Sequence, residues 1–224
     1  MLQEPRIKTI KERLGKNMRI NRLVVGPVST NCYIVSNENT KEALIIDPGE
    51  GAKKIIEKIK EEGLSTKAIL LTHGHFDHMM AVNELVQEFR VEVYIGEKEV
   101  ELLKDPMQNC SGSMICQPYI VRADKMLRDK DVLEIAGFTI EVLYTPGHTI
   151  GGVCYCFRED NVLFSGDTIF QASVGRSDLP TGNGRQLEES IREKIFTLPD
   201  DMQIFPGHGD STIVSYEKKY NPYV

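Results

Sequence analysis

Residues 70–78 of the sequence, LLTHGHFDH, hold three histidines and one aspartate within six consecutive positions. The apolar run at 68–71 predicts a buried strand, and the pattern at 79–86 predicts a helix. The polar side chains are therefore expected on a loop that leaves the end of a strand. Catalytic groups in α/β proteins are commonly mounted on such loops.

The residue types in this loop indicate a metal site. Imidazole nitrogen and carboxylate oxygen are ligands that suit zinc, iron or manganese. The spacing is too dense for a single tetrahedral ion, because the adjacent side chains of Asp77 and His78 cannot easily join His73 and His75 on one ion. Two ions are therefore expected, and the alternative is a polar loop whose histidines are merely exposed.

The remaining histidines lie in a similar sequence context. Of the five histidines in the chain, the other two are His148, in TPGHT, and His208, in FPGHG. A fourth segment, VLFSGDT, has the same pattern with Asp167 in place of a histidine. Each group follows an apolar run and lies beside glycine. Scattered structural histidines would not be distributed in this way.

This set of motifs resembles that of the metallo-β-lactamase superfamily, from about Met18 to the C-terminus. Within the superfamily, GDTIF at 166–170, VGRSDL at 174–179 and PGHG at 206–209 resemble short, single-domain glyoxalase II-like hydrolases. The resemblance implies an α+β fold, the αββα four-layer sandwich of two mixed sheets with helices on the outer faces. Residues 1–17 are then expected to be an extension, and residues 18–224 a single domain.

The resemblance also implies how the ligands are shared between two divalent ions, with zinc as the first expectation and iron or manganese as alternatives. One ion is expected on His73, His75 and His148. The other is expected on Asp77, His78 and His208, with Asp167 bridging the two ions. A metal-bound hydroxide would be the nucleophile, and Asp77 and Asp167 would be the catalytic carboxylates.

The function implied by the resemblance is hydrolysis of a small-molecule thioester such as S-lactoylglutathione. Arg176 is expected to contact an anionic part of the substrate, and the alternative is an ion pair with Asp178 or another acid that holds the loop. Full-length glyoxalase II enzymes carry a helical domain after the last metal ligand, whereas 16 residues follow His208 in this sequence, so a similarity to the short, single-domain proteins is expected. The alternative activity is that of an iron-dependent persulfide dioxygenase. Class B β-lactamases commonly carry cysteine where Asp167 stands, which disfavours that activity.

Composition limits the classes of partner. The 224-residue chain is 41% hydrophobic and 27% charged, which is typical of a soluble globular protein, and its net charge is −6. It has no basic block, so nucleic acid is not an expected partner. An apolar signal region or membrane-length run is also missing from the sequence, so a cytoplasmic location is expected. The oligomeric state stays open.

Of the five cysteines, Cys154 and Cys156 are interpreted as buried strand residues.

The remaining predictions are local. Residues 6–16 are expected to form a short basic helix that ends at Gly15, and a second helix is expected from Asp77 to about Phe89. Asp47 ends a strand and is interpreted either as a support for the metal site or as the cap of a turn. Residues 104–118 form an irregular segment that either covers the site or is a surface connection.

Overall fold

The computed structural model describes residues 10–14 and 17–224. Within these residues, the first seven strands form one mixed sheet in chain order. Neighbours from the first to the fourth strand are antiparallel, and those from the fourth to the seventh are parallel. The strands are β1 (Ile10–Leu14), β2 (Met18–Val25), β3 (Thr30–Asn37), β4 (Glu42–Ile46), β5 (Ser65–Leu70), β6 (Glu92–Gly96) and β7 (Lys125–Leu127).

Helices provide the crossovers that parallel strands require. Between β4 and β7 these are α1 (Ala52–Glu61), α2 (Val82–Phe89), α3 (Val100–Lys104) and α4 (Ser111–Met114). The helix expected from Asp77 begins later, at Val82, because residues 76–78 form a separate 3₁₀ turn. That turn brings neighbouring polar side chains to one place instead of distributing them around a helix.

The N-terminal helix predicted for residues 6–16 is wrong where the structure describes it. Residues 10–14 form β1, which pairs antiparallel with β2 so that Ile10 lies opposite Arg22 and Leu14 opposite Met18. The free edge of β2 offers unpaired backbone groups, whereas an isolated helix of this length is marginal in water. Residues 6–9 and 15–16 lie outside the described part, and the domain boundary at 17/18 stays a prediction.

The second half of the chain forms another mixed sheet, in the order β15-β14-β11-β10-β9-β8, and a separate ribbon of β12 with β13. In this six-stranded sheet, β11 and β14 are parallel, and all other neighbouring strands are antiparallel. The strands are β8 (Val132–Ile135), β9 (Phe138–Tyr144), β10 (Val153–Phe157), β11 (Val162–Gly166), β12 (Ile169–Phe170), β13 (Ser173–Val174), β14 (Gln203–Pro206) and β15 (Thr212–Ile213).

Two helices accompany this sheet. The first, α5 (Gly184–Ser190), continues as one π-helical segment (Ile191–Ile195), and the second is α6 (Val214–Tyr220). The side chain of Asn183 caps α5 by accepting a hydrogen bond from the backbone N–H of Gln186.

Three apolar layers hold the elements together. The layer between the sheets is buried and contains Ile20, Tyr33, Leu44, Leu70, Ile140, Tyr155, Phe164 and Phe205. The opposite face of the first sheet packs on α1 and α2 through Ile45, Ile69, Ile55 and Leu85. The opposite face of the second sheet packs on α5 through Cys154, Cys156, Leu163, Leu187 and Ile191. The result is the αββα sandwich that the family resemblance implies.

The cysteines and the irregular segment also have defined places. All five cysteines are free, and Cys154 and Cys156 are buried as predicted. Within residues 104–118, the carbonyl of Asn109 accepts a hydrogen bond of 2.9 Å from the backbone N–H of Phe76. This segment therefore packs on the histidine loop. Among the described residues, no helix has the length and apolar character needed to cross a membrane.

Candidate metal centre

Four loops carry polar side chains to one edge of the sandwich. They follow the carboxyl ends of β5, β9, β11 and β14, so each loop inherits its position from a buried strand. Their donor atoms form three overlapping groups, within each of which the atoms lie at most 4.8 Å apart. The groups are His73, His75 and His148; His73, His78 and Asp167; and Asp77, His78 and His208.

These groups bring together all seven side chains that the sequence predicts as metal ligands. The first and third groups have the same members as the two predicted ligand sets. Asp167 lies between them: its Oδ1 is 3.4 Å from His78 Nε2, and its Oδ2 is 3.5 Å from His208 Nε2 and 3.6 Å from His148 Nε2. A carboxylate in this position is suited to contact two ions.

Several buried donor atoms in the cluster have no hydrogen-bond partner. They are His73 Nε2, His78 Nε2 and Asp167 Oδ1. Buried polar atoms are normally paired, since leaving one unpaired costs about 1–3 kcal/mol. Nitrogen and oxygen donors gathered at such short range fit a divalent ion such as zinc, iron or manganese. The residues present therefore fit a metal centre.

One hydrogen bond fixes the ring of His148. Its Nδ1–H donates to the backbone carbonyl of Arg176 at 2.7 Å. The other nitrogen, Nε2, then carries the lone pair, and it lies 2.9 Å from His75 Nδ1 within the cluster. A histidine that donates from one nitrogen to a carbonyl presents the other as a metal ligand.

The charges of the cluster follow from burial and from neighbouring groups. Burial and the adjacent histidines hold the pKa of His73 well below its ordinary value and lower the pKa of His75 to about 3. Burial has the same effect on His78, but the Asp77 and Asp167 carboxylates outweigh it and hold the pKa of His78 well above its ordinary value. Burial favours neutral Asp167, yet His78 lowers the pKa of this carboxyl to about 2.

Most of these protonation states are the ones that bind metal. Metal ligation needs neutral imidazole and ionised carboxylate, and His73, His75 and Asp167 have these forms near neutral pH. His78, by contrast, holds a proton that it must release when it becomes a ligand.

The carboxylate of Asp47 supports this cluster. Its Oδ1 accepts a hydrogen bond from the Thr72 backbone N–H at 2.8 Å, and its Oδ2 accepts one from Thr72 Oγ1 at 2.7 Å. The same Oδ2 lies 3.1 Å from His78 Nδ1. Of the two roles expected for Asp47, the structure therefore shows direct support of the histidine loop.

Glu99 is a part of the site that sequence reasoning missed. Its side chain is fully buried. One oxygen accepts a hydrogen bond of 2.8 Å from the backbone N–H of Gly74, and the other accepts one of 2.6 Å from Gly151. Gly74 lies between His73 and His75, and Gly151 follows His148 in the next loop. Glu99 therefore joins the two loops that carry the first histidine group.

Strand β3 of the first sheet holds ligands on both sides of the cluster. Thr30 Oγ1 donates a hydrogen bond of 2.9 Å to Asp77 Oδ2. Asn31 Nδ2 donates to the Pro206 carbonyl at 2.9 Å, and Tyr33 Oη donates to the same carbonyl at 2.6 Å. The loop that carries His208 is thus fixed by the opposite sheet. The sequence showed these residues only as members of a strand.

Close packing around Asp167 explains two of the glycines. A Cβ atom at Gly175 would lie 1.8 Å from the Asp167 carbonyl oxygen. A Cβ atom at Gly207 would lie 2.2 Å from Asp167 Oδ1. Both positions therefore require glycine if this carboxylate is to keep its place.

Arg176 lies outside the three donor groups. Its guanidinium makes a two-pronged ion pair with Asp178, with distances of 2.7 Å and 2.8 Å. Both side chains are exposed. The ion pair expected as the alternative is therefore present, while the substrate contact stays a prediction. The backbone of Arg176 has a separate role, since its carbonyl holds His148.

Comparison with known proteins identifies the family of the chain. The family model of the metallo-beta-lactamase superfamily matches residues 25–208. A probable metallo-hydrolase of Bacillus subtilis is 38% identical over 208 residues, which cover 92% of this chain and 98% of the relative. A hydroxyacylglutathione hydrolase of Haemophilus influenzae is 36% identical over 213 residues, which cover 92% of this chain and 98% of the relative.

Solved structures show the same similarity. BLEG-1 B3 metallo-beta-lactamase superposes with a TM-score of 0.88 at 41% identity, covering 91% of this chain and 98% of that one. TTHA1623 in a di-iron-bound form has a TM-score of 0.81 at 31% identity, with 91% and 99% covered. ETHE1 from Myxococcus xanthus has a TM-score of 0.74 at 27% identity, with 91% and 83% covered.

Proposed function

The chain belongs to the metallo-beta-lactamase superfamily and carries a histidine and aspartate cluster placed to bind metal, and on this premise we propose that it hydrolyses thioesters such as S-lactoylglutathione. The observation that carries the proposal is the group of buried nitrogen and oxygen atoms without hydrogen-bond partners, since such atoms at short range are suited to binding a metal ion. Similarity to a hydroxyacylglutathione hydrolase over nearly its whole length supports the substrate class.

We propose two divalent ions per chain, with zinc first. His73, His75 and His148 would hold one ion, and Asp77, His78 and His208 the other, with Asp167 between them. Bound ions would supply Lewis acidity and would lower the pKa of a bound water toward about 7.

The chain's own residues orient the reacting groups. Asp77 is ionised because the neighbouring His78 and His208 lower its pKa, although burial opposes this shift. Its Oδ2 accepts a hydrogen bond from Thr30, which leaves its other oxygen to orient the attacking water and accept its proton. In the reaction, the water oxygen bonds to the carbonyl carbon, the carbon–sulfur bond breaks, and the sulfur takes up the proton that Asp77 accepted from the water.

The cluster disfavours a serine nucleophile. All five histidines of the chain are members of the three donor groups. A Ser–His–Asp triad would need a histidine outside the cluster to act as the base. Hydrolysis that uses the cluster itself is therefore the better interpretation.

The first test is elemental metal content by plasma mass spectrometry, on protein purified without added metal or chelator, followed by thioester hydrolysis assays. Two ions per chain and release of free thiol are expected. Asp167→Ala should lose both properties. Asp200→Ala is the matched control, because that carboxylate is exposed and pairs with Lys218. Metal-loaded protein that hydrolyses no thioester would refute the proposal.

A second candidate is an iron-dependent persulfide dioxygenase. The similarity to the Myxococcus xanthus protein fits this activity equally well. One iron per chain, together with oxygen uptake in the presence of a persulfide, would favour it. The assays should also include a chromogenic β-lactam, because BLEG-1 B3 metallo-beta-lactamase is 41% identical.

A further inference from the structure

A pocket of about 860 Å³ opens beside the metal centre. Asp77 belongs to both: it lines the pocket, and its Oδ2 lies 3.2 Å from His208 Nε2 in the cluster. A substrate whose reacting bond lies at the cluster therefore has this space next to it. The volume is in the range of about 300–1,000 Å³ that is typical of small-molecule sites.

Four segments of the chain form the walls of the pocket, and three of them contribute apolar side chains. Val24 and Pro27 come from the end of β2 and the turn after it. Phe76 and Met80 come from the end of the histidine loop, and Ile115 comes from the segment after α4. An apolar lining drawn from three separate segments favours an apolar ligand.

The charges of the pocket argue against a strongly ionic ligand. Among the described residues that line it, the charged ones are Glu50, Lys54 and Asp77. Glu50 and Lys54 are exposed and so lie toward solvent. Glutathione carries two carboxylates and one ammonium group, which would lose water here without a full set of partners.

We propose that this pocket binds a straight-chain apolar substituent of the thioester substrate, so that alkyl thioesters are better substrates than glutathione thioesters. This inference rests on the proposed thioester hydrolysis. The group that the pocket would bind is an alkyl chain next to the reacting bond. This alkyl chain belongs either to the acyl group or to the thiol of the substrate. The two arms of the experiment distinguish these sources.

The first arm measures kcat/KM for N-acetylcysteamine thioesters from acetyl to octanoyl. The second arm uses acetyl thioesters of straight-chain alkanethiols from ethanethiol to hexanethiol. Burial of one methylene is worth about a fourfold gain in kcat/KM, so one series should rise by about fourfold per carbon until the pocket is filled. S-lactoylglutathione, measured in parallel, should be slower than the best member of that series.

Variants assign the effect to the pocket. Met80→Glu and Ile115→Glu each place a charge among the apolar walls of the pocket. In each variant, the gain in kcat/KM produced by four added carbons should be at least tenfold smaller than in the wild type. Using two variants protects the test against one that fails to fold. Met126→Glu is the matched control, because Met126 is exposed on β7 and does not line the pocket. It should keep the full dependence.

Three outcomes are decisive. A rising series that both pocket variants flatten supports the inference. Flat series, or faster hydrolysis of S-lactoylglutathione, would overturn the inference while leaving thioester hydrolysis intact. If no thioester is cleaved, the proposed function fails, and calorimetric binding of straight-chain methyl ketones then tests the pocket alone. Tighter binding of longer ketones to the wild type than to Met80→Glu would still support an alkyl site, and equal binding would overturn it.

Discussion

Replacing Glu99 by glutamine would remove one of the two acceptors that join the histidine loops. The two Glu99 oxygens accept hydrogen bonds from Gly74 at 2.8 Å and Gly151 at 2.6 Å. Glutamine keeps one acceptor and turns the other group into a donor. One of the two glycine N–H groups would then be buried without a partner, and the loops would no longer be tied to each other.

The size of the effect follows from that unpaired group. A buried donor left without a partner costs about 1–3 kcal/mol. Burial raises the pKa of the Glu99 carboxyl, which shows that a charge is costly at this position. Replacing it by a neutral amide removes that cost and offsets part of the loss of stability. The free energy of unfolding is therefore expected to fall by an amount in the lower half of that range. Metal binding has to restore the loop arrangement, so metal affinity should fall by about tenfold, at 1.4 kcal/mol per factor of ten.

The assay is a titration of the metal-free protein with cobalt in the presence of a competing chelator. Visible absorption of the bound cobalt monitors the titration and gives the metal affinity. Amide hydrogen exchange at Gly74 and Gly151 reports the loops directly, and one of these amides should exchange faster in Glu99→Gln. Glu217→Gln is the matched control. Glu217 is also fully buried, but its hydrogen bonds are to Ala172, Thr212 and Asn221.

The control variant should lose stability without losing cobalt affinity at the first histidine group. The reasoning is refuted if Glu99→Gln folds, binds cobalt as tightly as the wild type and shows unchanged exchange at both glycines. That result would mean that the loops hold their arrangement without Glu99.

Three further predictions concern ligands, substrate and pH. His75→Ala and Asp167→Ala should each abolish hydrolysis and lower metal content, and normal activity in either variant would contradict the ligand assignment. Arg176→Ala should raise KM for an anionic thioester more than it lowers kcat, whereas an unchanged KM would leave Arg176 with only its Asp178 ion pair. In the metal-free protein, burial disfavours protonated His78, but the nearby carboxylates hold its pKa well above 6.5. The contribution of protonated His78 to stability should therefore be complete below about pH 6.5 and be lost as the pH rises through the pKa of His78 in the folded state. Denaturation midpoints against pH measure this, and an alkaline limb that is identical in His78→Asn would contradict it.

The residues that carry chemistry could be predicted because their signal is local. His73, His75, Asp77 and His78 lie within six positions, and each of the other ligands lies beside glycine after an apolar run. Alternation of apolar and polar residues with period two is a similar local signal of β8 and β9, since one face of each strand packs on the core.

The supporting residues could not be predicted because their partners are distant and are backbone groups. Glu99 lies 25 residues from Gly74 and 52 residues from Gly151. In the sequence it is an acidic residue in a charged turn, which is usually exposed. Strand β1 was missed for a related reason: a basic segment forms a strand there because β2 offers it an edge, and local preference does not reveal that edge.

The division of the first histidine group between the two sheets has a kinetic consequence. His73 and His148 are 75 positions apart in the chain, and the loops that carry them meet only when both sheets have docked. Such long-range contacts form late in folding. A metal ion that needs them stabilises the native state more than the transition state, so it should slow unfolding and leave the folding rate nearly unchanged. In a chevron plot, adding metal would shift the unfolding limb alone.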